Sequence, residues 1–174
     1  MLGSLEDDRQ GMVVRILSIL IHERTGTTVE VKFFTDREKL LAQVAKGKVD
    51  LYIDHVDAAL SRYGEEWEPL SPEDRFRRIK KRFEEELNLI WLKPMGYSGR
   101  ETGDASPGTA SQGAASVVVH KETLKKFPAL PRLLEKIGTK VVLDDGRLDS
   151  LVLKGKATKP ASVAREYLKE VKLI

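Results

Sequence analysis

The residue types that could carry out catalysis are sparse in this chain. The three histidines, His22, His55 and His120, stand far apart, and no His-Glu-x-x-His zinc pattern joins any two of them. No Gly-x-Ser-x-Gly elbow is present, and no Gly-rich stretch ends in the Lys-Ser/Thr of a phosphate loop. Cysteine is absent, which excludes disulfide scaffolds, zinc–thiolate sites and cysteine nucleophiles. We therefore predict that the protein is not an enzyme and that it uses neither a metal nor a cofactor.

Charged and aromatic residues cluster around the string GKVDLYIDHVDAAL, residues 47–60. Asp54 and Asp57 directly follow an apolar run, where they could attract a cation or simply cap the short helix that comes next. Tyr52 lies within that run and Trp91 lies within another, so core packing is the ordinary role for both. Trp67 stands in a polar Gly/Glu/Pro segment, where it could seal the edge of a sheet or contact a partner.

A basic cluster lies further along the chain, where six basic residues occupy eight positions: Arg75, Arg77, Arg78, Lys80, Lys81 and Arg82. Such a cluster suits contacts with phosphates. However, three glutamates, Glu84, Glu85 and Glu86, follow at once, and apolar residues interrupt the run on one face. We therefore predict a solvated, salt-bridged helix face, and nucleic-acid contact is the less favoured alternative.

Composition limits the class of protein. The chain has 174 residues, 41% hydrophobic and 33% charged, with 30 Lys+Arg against 27 Asp+Glu and a net charge of +3. This describes one globular domain, or at most two small ones, without a dedicated nucleic-acid coat. No apolar stretch of about 18 residues exists, and the run 12–21 is interrupted by Arg15 and Ser18, so we expect a helix of the fold there and not a leader. We expect an extracytoplasmic location if a leader or membrane segment has been removed, and a cytoplasmic one otherwise.

The elements that must position these residues follow from the apolar spacing. Residues 1–4, 29–33 and 49–53 read as strands, and helices with apolar faces lie between them, starting at Asp7–Asp8 and at Asp36. The pattern continues with strands at 89–92 and 117–120 and with helices from Pro72 and over 121–126, 130–137, 144–151 and 160–169. This order predicts an α/β fold with a central mixed, mostly parallel sheet flanked by helices.

One segment does not fit a compact domain. Residues 96–116 contain five Gly, four Ser, four Ala, two Thr and one Pro, and Tyr97 is their only large side chain. A stretch of this composition buries too little apolar surface to offset the entropy lost on ordering. We therefore predict a flexible linker over 96–116, with 1–95 and 117–174 folding together as a single domain.

Three strings resemble one family, the substrate-binding proteins of glycine betaine/choline ABC importers, which have the type 2 periplasmic-binding-protein fold. They are GKVDLYIDHVDAAL, LNLIWLKPMGY (residues 87–97) and the C-terminal part that begins VVVHKETLKKFPALPRLLEKIG. The resemblance implies a single lobe of that fold, with the linker standing where the family has its second lobe. It also implies a function in osmoprotectant import, with a quaternary amine as ligand and an ABC permease as partner.

The resemblance further implies a set of ligand-binding residues. Quaternary ammonium groups are bound in aromatic cages, because they cannot donate hydrogen bonds. The residues that we expect to bind the ligand are Tyr97, His55, Tyr52 and Asp54, with Gln10 as a further candidate. His55 stands where the family has Tyr, and His is a poorer ring for a cation, so we expect the binding to be weakened or lost. For Tyr97 the alternative is a linker residue without a role.

A second class of function remains open. A lobe without its counterpart would leave a surface near Pro94 and Val117 that could pair with another copy or with another chain. On this alternative the chain is a protein-interaction or dimerisation module without a small-molecule ligand.

Overall fold

A six-stranded sheet forms the centre of the computed structural model, which describes residues 1–63, 69–100 and 111–174. The strands are β1 (Leu2–Leu5), β2 (Val31–Phe34), β3 (Leu51–His55), β4 (Leu89–Trp91), β5 (Ser98–Arg100) and β6 (Ser111–His120). Their order is β2-β1-β3-β6-β4, with β5 paired to β6. Pairs β1–β2 and β1–β3 are parallel, and β6 is antiparallel to both β3 and β4, so only β6 runs against the other strands of this path. The predicted mixed, mostly parallel sheet is confirmed.

Helices cover both faces of the sheet. They are α1 (Asp8–Thr25), α2 (Arg37–Ala45), α3 (Val56–Ser61), α4 (Pro72–Leu87), α5 (Lys121–Lys126), α6 (Leu130–Leu134), α7 (Lys136–Thr139), α8 (Asp145–Ala157) and α9 (Pro160–Glu170). Several begin where the sequence predicts a cap. The side chain of Asp7 accepts a hydrogen bond from the Gln10 amide, and Ser71 accepts one from the Asp74 amide. In the described residues, no helix is both long and apolar enough to cross a bilayer.

The alternation of side chains along β3 divides the interior into two cores. Leu51 and Ile53 point to a core built with α1, α6, α8 and α9. Tyr52 points to the opposite core, which is built with α2, α3 and α4. Because successive strand residues face opposite sides of a sheet, Asp54 and His55 at the end of β3 must also lie on different faces.

Strand β6 is longer than the sequence indicates. It begins at Ser111, and its residues Ala115, Ser116 and Val117 lie opposite His55, Asp54 and Ile53 of β3. Within the predicted linker, Ser98 and Arg100 of β5 lie opposite Ala114 and Ser111 of β6, and residues 115 and 116 of β6 lie opposite β3. Residues 101–110 lie outside the described part of the chain. The division of the chain into one domain and a linker stays a prediction.

Gly113 shows why small residues suit the start of β6. Its φ is +79°, and a Cβ built there would lie 2.7 Å from Cγ of Asp57 in α3. Glycine adopts this backbone conformation without steric cost and leaves room for the close approach of the strand to the helix. A small residue at this position therefore reflects a close contact between β6 and α3.

Candidate functional site

The carboxyl edge of the sheet gathers most of the predicted ligand residues. At this edge β1 leads into α1 and β3 leads into α3, so that Gln10 lies near the start of α1 and His55 directly precedes α3. Tyr97 reaches the same level, because the Ala115 amide donates to its carbonyl oxygen at 3.0 Å and Ala115 lies opposite His55. In open α/β sheets, ligands bind in the crevice outside the carboxyl ends of the strands.

His55 and Tyr97 form the aromatic pair of this edge. Their ring centroids are 6.1 Å apart and their planes make an angle of 78°. Both side chains are buried, and neither the Tyr97 hydroxyl nor Nε2 of His55 has a hydrogen-bond partner in the described part of the chain. Burial lowers the pKa of His55 to about 4, with the charge of Asp54 partly opposing it. Burial also raises the pKa of Tyr97, so both rings are neutral at neutral pH.

Arg9 lies over the Tyr97 ring, a contact that no sequence pattern predicted. The guanidinium carbon is 5.6 Å from the ring centroid, within the range of a cation–π contact. The same guanidinium forms ion pairs with Asp145 and, at 3.2 Å, with Asp149, both in α8. Oδ2 of Asp145 also accepts a hydrogen bond from the Ser98 amide at 3.3 Å. The Arg9 guanidinium therefore covers one face of the Tyr97 ring, where a cationic ligand would otherwise bind.

Tyr52 and Asp54 belong to the other face of the sheet. Asp54 is buried and forms ion pairs with Arg37 and, at 3.0 Å, with Arg62. Its Oδ1 also accepts a hydrogen bond from the His55 amide at 2.8 Å. Tyr52 is buried nearby in the second core, and burial raises its pKa. The structure thus separates these two residues from the His55–Tyr97 pair.

Gln10 and Asp57 are both engaged within the fold. Oε1 of Gln10 accepts a hydrogen bond from the Leu5 amide at 3.2 Å, which ties the end of β1 to α1. Asp57 forms an ion pair with Arg75 at 3.1 Å, and its pKa is raised because burial outweighs that pair. The N-cap residue of α3 is His55, and its side chain makes no cap hydrogen bond.

The other residues singled out in the sequence lie in the core, on the surface or outside the residues that the structure describes. Trp91 packs edge-on against Phe83 at 5.4 Å and Phe76 at 6.3 Å, as a core residue does. Trp67 lies outside the described residues. The basic helix face of α4 pairs along its own length, as in Arg82–Glu86 at 3.0 Å. Within the described ranges, no group of three or more His, Asp and Glu side chains could hold a metal ion.

Comparison with known proteins gives a fold but no family. No protein-family model matches the sequence, and no curated protein matches it. A solved structure described as a glycine betaine/carnitine/choline ABC transporter is similar with a TM-score of 0.80 and 12% identity, over 99% of this chain and 98% of that one. Apo YehZ from Escherichia coli is similar with a TM-score of 0.77 and 14% identity, over the same shares. At such identities the likeness establishes the fold alone, which is that of a periplasmic-binding-like domain.

Proposed function

We propose that this chain is a solute-binding-like domain of an ABC import system for glycine betaine- or choline-type osmoprotectants, and that it binds a quaternary amine only weakly. An ABC permease would be its partner. The fold likeness to a glycine betaine/carnitine/choline ABC transporter supports the general class. The position of Arg9 over Tyr97 carries the more specific part of the proposal.

The weakness follows from how such ligands are bound. A quaternary ammonium group donates no hydrogen bond, so its affinity depends on contact with ring faces. One face of Tyr97 is already covered by the Arg9 guanidinium, and Asp145 and Asp149 hold that guanidinium in place. A ligand that uses this face must displace a cation that three groups stabilise.

The second ring does not make up for this loss. His55 turns its ring at 78° to Tyr97, and only 3% of the residue is exposed. Tyr52 cannot complete a cage here, because it belongs to the core on the other side of the sheet. Tyr97 is itself only 2% exposed, so the two rings offer a ligand a fraction of a cage, and we expect dissociation constants in the millimolar range.

Calorimetric titration with glycine betaine, choline and carnitine tests the proposal on the native chain and on Arg9→Gln. Removing the guanidinium frees the ring, so we expect Arg9→Gln to bind at least one ligand about tenfold more tightly than the native chain. Arg15→Gln is the matched control, because Arg15 also lies on α1 and stands 5.6 Å from the ring of Phe33. We expect the control to bind like the native chain. No saturable heat from either the native chain or Arg9→Gln would overturn the proposal.

A further inference from the structure

A cavity of about 600 Å³ lies at the end of the sheet opposite the His55–Tyr97 pair. Leu51, the first residue of β3, lines it, whereas His55 is the last residue of the same strand. Its other walls come from the end of α1, the segment before β2, and the connection from α5 to α6. The cavity is therefore separate from the candidate site described above.

The walls of this cavity are mainly apolar. The residues that supply this surface include Ile21, Val29, Leu51, Phe127, Pro128 and Leu130. Phe127 is 46% exposed, so part of the apolar wall is open to solvent. A concave apolar surface of this size with a few polar groups at its rim is the usual form of a small-molecule site.

Two charged groups at the rim, Asp50 and Lys126, differ in whether they can bind a ligand. Asp50 is engaged, because its carboxylate forms an ion pair with the Met1 amino group and accepts a hydrogen bond from the Thr123 hydroxyl at 3.1 Å. Lys126 is exposed and forms no ion pair with any residue that the structure describes, although its charge acts on Asp50. The available charge at this rim is therefore positive.

We propose that the cavity binds a medium-chain aliphatic carboxylate, with the alkyl chain against the apolar walls and the carboxylate at Lys126. The aliphatic walls remove the chain from water, and each buried methylene strengthens binding about fourfold. The ammonium of Lys126 pairs with the head group at the solvent-exposed rim, so it adds a smaller contribution, about threefold. The length of the ligand's alkyl chain therefore determines most of the affinity, and Lys126 makes the site prefer an anionic head group to a cationic one.

Titration calorimetry with octanoate, decanoate and decyltrimethylammonium tests this proposal on the native chain. We expect decanoate to bind about sixteenfold more tightly than octanoate, because it buries two more methylenes. We expect decyltrimethylammonium to bind more weakly than decanoate, because its head group is repelled by Lys126. Amide chemical shifts should move at residues 25–29 and 123–130 and remain unchanged around Tyr97.

Three variants separate a built site from unspecific adsorption. Lys126→Gln should weaken decanoate about threefold and leave decyltrimethylammonium unweakened. Lys125→Gln is the matched control, because Lys125 is the adjacent exposed lysine, pairs with Glu122 at 2.6 Å and does not line the cavity. Thr28→Trp fills the cavity from an exposed position and should abolish binding of both amphiphiles, and Ala129→Trp serves if that variant unfolds.

The outcomes are decisive in each direction. Saturable decanoate binding that is lost on filling the cavity and weakened by Lys126→Gln alone supports the proposal. Absence of saturable binding to the native chain overturns it, and so does binding that persists in a folded cavity-filling variant. Equal effects of Lys126→Gln and Lys125→Gln also overturn it, because they indicate only a general attraction of anions to a basic surface.

Discussion

The ring of His55 meets the ring of Tyr97 edge to face, with the centroids 6.1 Å apart, although the two residues belong to different segments of the sequence. Ala115 brings them together. It lies opposite His55 in the β3–β6 ladder, and its amide donates to the Tyr97 carbonyl oxygen at 3.0 Å. An edge-to-face pair of this kind contributes about 0.5–1.5 kcal/mol beyond its buried area. The contact therefore joins β3 and the segment leading to β5 across the strand between them.

Replacing the carboxylate of Asp54 should destabilise the fold strongly. Asp54→Asn removes a buried charge that pairs with Arg37 and Arg62, leaving two guanidinium groups without their shared partner. We expect the free energy of unfolding to fall by about 3 kcal/mol, measured by urea denaturation. Glu122→Gln is the comparison, because its pair with Lys125 is fully exposed to solvent and should add little to stability. Similar losses in both variants would contradict this account of Asp54.

Acid should weaken the fold through His55. The folded protein binds a proton at this ring only near pH 4, because burial disfavours the charge, whereas the unfolded chain binds it near 6.5. The unfolded state therefore binds more protons between these two values, so stability falls as the pH decreases through this window. Above pH 6.5 the free energy of unfolding is not reduced by this ring, and by pH 4 it should have fallen by about 3 kcal/mol.

Urea denaturation from neutral pH down to the folded pKa measures this effect, with His55→Gln as the reference. Glutamine does not titrate, so the difference in unfolding free energy between native chain and variant should shrink as the pH is lowered. A difference that stays constant with pH would show that His55 is protonated equally in both states.

Gly138 should tolerate a side chain far less well than Gly26. Both have positive φ, +103° and +70°, so alanine is strained at either position. A Cβ at Gly138 would lie 2.1 Å from the Pro94 carbonyl oxygen, whereas a Cβ at Gly26 meets nothing within 4 Å. We expect Gly26→Ala to cost about 1 kcal/mol and Gly138→Ala about 3 kcal/mol or more, because a backbone clash is added. Thermal melts of the two variants compare them directly, and equal melting temperatures would refute the clash.

The two fragments of a chain cut between β5 and β6 should remain associated. Strand β6 lies between β3 and β4 and is hydrogen-bonded to both, so its fragment is held by the central part of the sheet. We expect the two fragments to co-elute from a sizing column after a specific protease site, inserted within 101–110, has been cleaved. Fragments that separate without denaturant would show that the two parts of the chain fold as independent units.

The sequence was sufficient for the order of most elements and for some of their boundaries, although α8 continues to Ala157, beyond the predicted end at 151. Helix α5 covers the six residues 121–126 and α9 begins at Pro160, as the pattern indicated, because caps and apolar spacing are local properties. The length of β6 was underestimated, because a run of Ser, Gly and Ala has little strand propensity of its own. Pairing with β3 and β5 supplies the hydrogen bonds that stabilise it as a strand.

The candidate site was only partly accessible from the sequence. His55 and Tyr97 were predicted together and do meet, while Tyr52 and Asp54 lie on the other face because strand residues alternate. That alternation could have been read from the sequence, since Tyr52 and His55 are three positions apart in one strand. That any of these four residues binds a ligand stays a prediction.

Local chemistry along the chain, in caps, apolar periodicity and charge, determined most of the helices and strands, apart from β5 and the start of β6, and hence an α/β sheet flanked by helices. Tertiary structure alone decided that Arg9 covers Tyr97 and that Asp145 and Asp149 hold it there. The physical reason is distance along the chain: α1 and α8 are far apart in sequence, and only packing against the same face of the sheet brings their charges together. No local pattern encodes such a contact.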